Sequence, residues 1–189
     1  MENTQNGLVT TRVMQVIGLP GSGKSSICQQ LGHDLSLFGY STKIVDIADY
    51  HYMEDGNFTD RRRTKPYHLK EEQWLEAVDK SMGAYDFLLV ESVCGSDKIE
   101  TYSIIRVETP QDIIIKRHEI ERESLDNEDL YYFSQLNDVT LDYNYYFHLV
   151  VDGTAPAKRT SKQILYSDLL QIPQTQDNTW RQERMLNTY

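Results

Sequence analysis

Gly18-Leu19-Pro20-Gly21-Ser22-Gly23-Lys24-Ser25, preceded directly by Val13-Met14-Gln15-Val16-Ile17, fits G-x-x-x-x-G-K-[ST] at every fixed position. The apolar run, the glycine-rich turn and then Ser26-Ile27-Cys28-Gln29-Gln30-Leu31 read as strand, phosphate-binding loop and helix, in the order such a loop requires. The glycines let the backbone wrap closely enough for successive N–H groups to point at phosphate oxygens. Lys24 adds a cation. The helix opening at Ser25 and Ser26 turns its positive end toward the same anion. The Ser25 hydroxyl falls where a Mg²⁺ ion shared with the β- and γ-phosphates is ligated. The stretch therefore predicts a bound nucleoside triphosphate, held by Gly18, Pro20, Gly21, Ser22, Gly23, Lys24, Ser25 and Ser26.

At 189 residues the chain suits one domain, expected over residues 12–172, with a loose lead-in over 1–11 and a polar tail over 173–189. No apolar run of membrane-spanning length occurs, and Met1-Glu2-Asn3-Thr4-Gln5-Asn6 lacks the regions of a signal peptide, so a cytoplasmic protein is expected. Cys28 and Cys94 have no metal-knuckle spacing, and no disulfide is expected. A formal net charge of -10 repels nucleic acid at long range, although a local basic patch can override it. Many of the 13 tyrosines fall in Tyr131-Tyr132-Phe133 and Tyr143-Asn144-Tyr145-Tyr146-Phe147. They are expected to pack in or rim the core, with stacking on a base as the alternative.

Outward from the loop, helix one is expected from Gly23 to Phe38, with Gly39 as its stop. Lys43-Ile44-Val45-Asp46-Ile47 reads as strand two. Residues 50–68 have no clear period, and a helix is expected from His68 to Met82. Phe87-Leu88-Leu89-Val90-Glu91 reads as a strand buried on both faces, and Ser103-Ile104-Ile105-Arg106-Val107 as strand four. Thr109-Pro110-Gln111-Asp112 opens a helix, with Thr109 as cap and Pro110 at the first helical position. A helical stretch over Asp126–Asn137, strand five over Phe147–Asp152 and a last helix over Ser161–Leu170 complete the chain. Strands alternating with helices imply an α/β fold: a five-stranded parallel doubly wound sheet with helices on both faces and ligands at the carboxyl ends of its strands.

The remaining candidates fall at those ends. Glu91 is placed to bind the metal, directly or through water, or else is a surface carboxylate. A phosphotransferase needs a carboxylate beside the acceptor hydroxyl, and Asp49 is preferred because it lies further out than Asp46. Asp46 caps, supports or ligates the metal, and either acid can simply cap a helix. Arg117 and Arg122 can neutralise charge on the transferred group or salt a helix face with Glu119, Glu121 and Glu123. Arg61, Arg62 and Arg63, followed by Lys65, form the one concentrated basic run. It suits the acceptor's phosphates or a solvated loop. The histidines show no metal spacing.

With these residues in place the chain resembles the small phosphate-loop (P-loop) NTPase kinases, most of all the phage polynucleotide-kinase type and the phage kinases of hydroxymethyluracil in DNA. The similarity spans about residues 12–170 in element order, and the loop alone is specific at residue level. It implies ATP and Mg²⁺ as cofactors, Asp49 as general base and Arg117 as the arginine aiding the transition state. Gly153-Thr154-Ala155-Pro156 resembles the adenine-contacting loop of such kinases. The expected activity is transfer of the γ-phosphate to a hydroxyl of a nucleic acid or nucleotide, in the host cytoplasm if phage-encoded. A small-metabolite, nucleoside or adenylylsulfate kinase is one alternative, and a regulatory ATPase without an acceptor is another. No Asn-Lys-x-Asp reader of guanine occurs, which favours ATP. The link from Glu91 to strand four is short, so acceptor contacts usually made there are missing or moved.

Overall fold

Each of the five apolar runs becomes a strand of one parallel sheet in the computed structural model, which describes residues 10–52, 68–69, 71–122 and 148–170. In chain order the elements are β1 (Arg12–Ile17), α1 (Lys24–Leu37), β2 (Thr42–Asp46), a 3-10 turn (Ile47–Tyr50), β3 (His51–Tyr52) and β4 (His68–Leu69). There follow α2 (Glu71–Ser81), β5 (Phe87–Ser92), β6 (Ser103–Glu108), α3 (Gln111–Arg122), β7 (Leu149–Asp152) and α4 (Ala157–Leu165). The sheet order is β2-β5-β1-β6-β7, and β3 pairs antiparallel with β4 in a separate ladder.

Period-two alternation divides the core into two layers. Met14, Val16, Phe87, Leu89, Ile105 and Val107 face α1 and α4, where Ile27, Leu31, Leu35 and Ile164 bury against them. Val13, Leu88 and Val90 face Trp74 and Val78 of α2 on the opposite side. Each such aliphatic side chain contributes about 1.5–3 kcal/mol by leaving water. All six residues of β5 are buried, as a central strand covered on both faces requires. Gln15 is the polar exception on β1. At 1% exposure, its amide donates to the Ser96 carbonyl (2.9 Å) and accepts from the Ser96 N–H (2.7 Å), pinning the link between β5 and β6.

Helix α1 ends where Gly39 was expected to stop it. Gly39 N–H donates to Ser36 O (3.0 Å) and Tyr40 N–H to Leu35 O (3.2 Å), the paired bonds of a Schellman cap. Three expectations need correction. The helix expected from His68 starts only at Glu71, because His68 and Leu69 are drawn into the ladder with β3. The last helix spans Ala157–Leu165 rather than Ser161–Leu170, opening directly after Pro156, whose carbonyl accepts from the Thr160 N–H at 3.2 Å. At the start of α3 the Pro110 carbonyl accepts the first helical bonds, from Ile113 and Ile114, so Pro110 stands at the cap position and Thr109 is released for another use. The expected helix over Asp126–Asn137, the tyrosine clusters and the tail lie outside the described residues.

Register places the chemistry at one edge. Glu91 of β5 lies opposite Asp46 of β2 on one side and Val16 of β1 on the other. Both acids therefore reach the carboxyl end of the sheet next to the loop that leaves β1.

Candidate active site

The loop from Gly18 to Ser25 is closed by its own hydrogen bonds. The Ser22 N–H donates to Leu19 O (3.1 Å), and Lys24 Nζ donates to the same carbonyl at 2.9 Å. Lys24 is 7% exposed, and burial pulls its pKa below the usual lysine value, while the Glu91 and Asp46 carboxylates oppose that shift. A buried cation so placed offers its charge to an anion.

Beside it the Ser25 hydroxyl donates to Glu91 Oε1 at 2.6 Å. Glu91 is buried and Ser25 and Ser26 are exposed at the first turn of α1. Asp46 is half-buried, and its Oδ1 accepts from the Ala48 N–H at 2.9 Å, so it caps the 3-10 turn that carries the exposed Asp49. Asp49 in turn raises the pKa of Tyr50 by its charge, after the larger effect of burial. Among the described residues no group of three or more His, Cys, Asp or Glu is arranged to hold a metal alone. Mg²⁺ does not need one, since it is usually held by one or two protein oxygens together with phosphates and waters. Ser25 and Glu91, both hard oxygen donors, fit it.

The outer side of the loop is gripped from α3. Arg117 donates through Nη1 to Gly21 O (2.8 Å) and through Nη2 to Gly153 O (2.9 Å). Thr109 Oγ1, expected to cap the helix, instead donates to Ser22 O at 2.9 Å. A trans peptide points its C=O and N–H in opposite directions, so fixing the Ser22 carbonyl also aims the Gly23 N–H. The buried His118 ring lies close enough to the loop that a Cβ on Gly21 would sit 2.7 Å from its Nε2. Gly153 approaches more closely still: a Cβ there would lie 2.1 Å from Ser22 O.

The structure thus brings together the loop, Lys24, Ser25, Glu91 and Asp46, and it brings Arg117 and Gly153 to the loop's far side. Arg117 bridges two carbonyls there. Arg122 lies in α3, with its side chain outside the described residues, and Arg61, Arg62 and Arg63 lie outside them altogether. The loop contacts of Thr109 and His118 and the buried amide bonds of Gln15 were not anticipated. Their partners are far away in sequence, and nothing in their local context marks them.

The AAA domain family pattern matches residues 15–162. The fold is similar to a shikimate kinase from Bacteroides thetaiotaomicron, at 13% identity and TM-score 0.54, covering 81% of this chain and 95% of that one. A gluconokinase from Sinorhizobium meliloti 1021 shares 15% identity at TM-score 0.51, over 82% of this chain and 89% of that one. A sugar kinase from Janibacter sp. HTCC2649 shares 14% at TM-score 0.50, over 82% and 92%. At such identities the likeness establishes the fold alone: the α/β architecture of the small P-loop kinases. The sequence matches no curated protein. No helix among the described residues is long and apolar enough to cross a membrane.

Proposed function

The chain belongs to the AAA domain family, and from that footing we propose that it is an ATP-dependent phosphotransferase whose acceptor is a hydroxyl group. The observation that carries the reading is the Ser25–Glu91 hydrogen bond of 2.6 Å at the mouth of the loop, one residue from the buried Lys24. A phosphoryl transfer asks mainly for positioning and for stabilisation of charge on the γ-phosphoryl oxygens. The loop amides and Lys24 supply both. Ser25 and Glu91 would hold a Mg²⁺ ion together with the phosphates, and the ion would supply neutralisation of the same charge. Asp49, on the turn fixed by Asp46, takes the role of base, and Arg117 holds the loop from behind. The acceptors that fit the sequence resemblance are a 5′-hydroxyl or hydroxymethyl base of a nucleic acid, or a nucleotide. The basic run at Arg61, Arg62 and Arg63 is then the natural place for their phosphates.

Transfer from γ-labelled ATP into a panel of oligonucleotides, nucleotides, nucleosides and small alcohols tests the reading. Label confined to free phosphate would instead favour a regulatory ATPase. Two variants sharpen it. Ser25→Ala is expected to raise the Mg²⁺ concentration for half-maximal transfer by roughly 10–100-fold. An unchanged Mg²⁺ dependence would remove Ser25 from the metal. Asp49→Asn is expected to lower kcat by roughly 10²–10⁴-fold with ATP affinity unchanged. Equal losses in both would remove Asp49 as the base.

A further inference from the structure

The Arg117 guanidinium donates to two backbone carbonyls from different parts of the chain, Gly21 O at 2.8 Å and Gly153 O at 2.9 Å. Its planar fork fixes both acceptors at once. In a trans peptide the C=O and N–H point in opposite directions, so each of these bonds also aims the N–H of the following residue. Across the first peptide, the Ser22 N–H donates to Leu19 O at 3.1 Å, the same carbonyl that accepts from Lys24 Nζ at 2.9 Å. Across the second, the Thr154 N–H donates to Asp152 Oδ1 at 2.7 Å. An unbroken run of hydrogen bonds and peptide planes therefore leads from the Asp152 carboxylate, through Arg117, to the Lys24 ammonium.

One end of this run is anchored. Asp152 Oδ1 also accepts from Thr154 Oγ1 at 2.6 Å, and the Gly153 N–H donates to Glu108 O at 2.8 Å, which ties Gly153 to β6. Nor can Gly153 shift toward the loop, because its backbone already lies against Ser22 O, where a Cβ would stand 2.1 Å away. The other end is the buried Lys24 ammonium, which meets the incoming phosphate. Between them, the Ser22 N–H turns into the loop toward Leu19 O, so the Gly21 carbonyl points out of it and Arg117 stands on the outer side. To touch a phosphoryl group in the cradle, the guanidinium would have to release both carbonyls and leave two part-buried acceptors unpaired.

We propose that Arg117 is a positioning residue for polyphosphate binding. Anchored on the chain after β7, it holds the Gly21–Ser22 peptide and, through Leu19 O, the Lys24 ammonium in the geometry that receives the phosphates. It acts through the loop and makes no contact with the transferred group, in contrast to the transition-state role that the sequence resemblance implies. The far anchor at Asp152 thereby becomes a determinant of phosphate affinity. The proposal deepens the phosphotransferase reading above, and only its kinetic test rests on that reading.

The test titrates the full chain with ATP and with inorganic tripolyphosphate, each with Mg²⁺, and compares it with Arg117→Gln, Arg117→Lys, Asp152→Ala and the double variant Arg117→Gln with Asp152→Ala. Arg117→Gln is expected to raise the Kd of both ligands at least about tenfold. Arg117→Lys, whose ammonium is a single point rather than a fork, is expected to recover part of that loss. Asp152 is exposed, so its truncation leaves no cavity, and Asp152→Ala is expected to raise both Kd values by about threefold. In the Arg117→Gln background the same truncation is expected to add nothing, because the run is already cut. In transfer of γ-label, the KM for ATP of Arg117→Gln is expected to rise by a larger factor than kcat falls. A kcat loss of about 10²-fold or more with ATP Kd unchanged is the behaviour of a transition-state arginine and would overturn the proposal. So would an unchanged Kd in folded Asp152→Ala, or an equal effect of Asp152→Ala in both backgrounds. Should Arg117→Gln misfold, Arg117→Lys takes its place in the cycle, with the Asp152→Ala effect expected to shrink there. Label found only in free phosphate would remove the phosphotransferase reading, while the tripolyphosphate titrations would still decide the role of Arg117.

Discussion

Lys24→Ala is expected to lower phosphoryl transfer by on the order of 10³-fold in a protein that still folds, the scale seen when a preorganised electrostatic group is removed from a transition state. The folded part of this expectation follows from the cost of burying the ammonium. Burial pulls the Lys24 pKa below the ordinary lysine value of 10.5, against the opposing pull of Glu91 and Asp46. The folded chain therefore holds that proton less tightly than the unfolded chain does. The sign follows: with the unfolded state binding more protons in the interval below 10.5, this group adds stability as pH rises through that interval, and at neutral pH its burial opposes folding. Alanine removes the opposing contribution along with the bond to Leu19 O. Thermal melts across alkaline pH should lose that slope in the variant, while γ-label transfer falls. Near-normal turnover by a well-folded Lys24→Ala protein would sink the catalytic reading of the loop.

The second large effect belongs to a glycine outside the loop. In Gly153→Ala the new Cβ would stand 2.1 Å from Ser22 O, 2.2 Å from Thr109 Oγ1 and 2.8 Å from Val107 Cγ1. The Ser22 carbonyl has little freedom to retreat, since Thr109 Oγ1 donates to it at 2.9 Å. Such overpacking costs about 1–3 kcal/mol or more. In a chain of this size that lowers Tm by roughly 5–10 °C. Displacing Ser22 also turns the Gly23 N–H away from the phosphate, so ATP affinity is expected to fall at least about tenfold. Gly32→Ala is the contrasting substitution. It lies inside α1, where the nearest atom to a new Cβ, Thr42 Cγ2, is in ordinary contact at 3.5 Å. It is expected to raise stability by about 0.5–1 kcal/mol through backbone entropy. Differential scanning calorimetry on both variants separates these outcomes, and equal Tm values would remove the steric argument.

Strand and loop positions were legible because their signals are local. Phe87–Glu91 carries its burial in its own composition, and Gly18–Ser25 carries its shape in its glycines and lysine. What escaped depends on partners distant along the chain. Thr109 followed by Pro110 has the local signature of a helix cap, yet its hydroxyl is taken by Ser22, 87 residues away. The Arg117 guanidinium spans Gly21 O and Gly153 O, 96 and 36 residues distant, contacts that its local sequence does not mark. Gln15 hides inside an apolar run because Ser96 and Thr101, both distant along the chain, satisfy its amide there. The last helix was placed late because Ala157–Arg159 precede its apolar residues Ile164 and Leu165, and Pro156 rather than a capping side chain begins it.

The grip of Arg117 and Thr109 on the loop carbonyls has a thermodynamic consequence. A glycine-rich segment left to itself explores many conformations, and ordering each residue costs about 1–2 kcal/mol at 25 °C. Here two side chains of the fold itself hold Gly21 O and Ser22 O, so most of that ordering is completed when the chain folds. Nucleotide binding then carries a small conformational entropy loss in the loop, and calorimetric titration of Thr109→Val should show the loss reappear as a less favourable binding entropy.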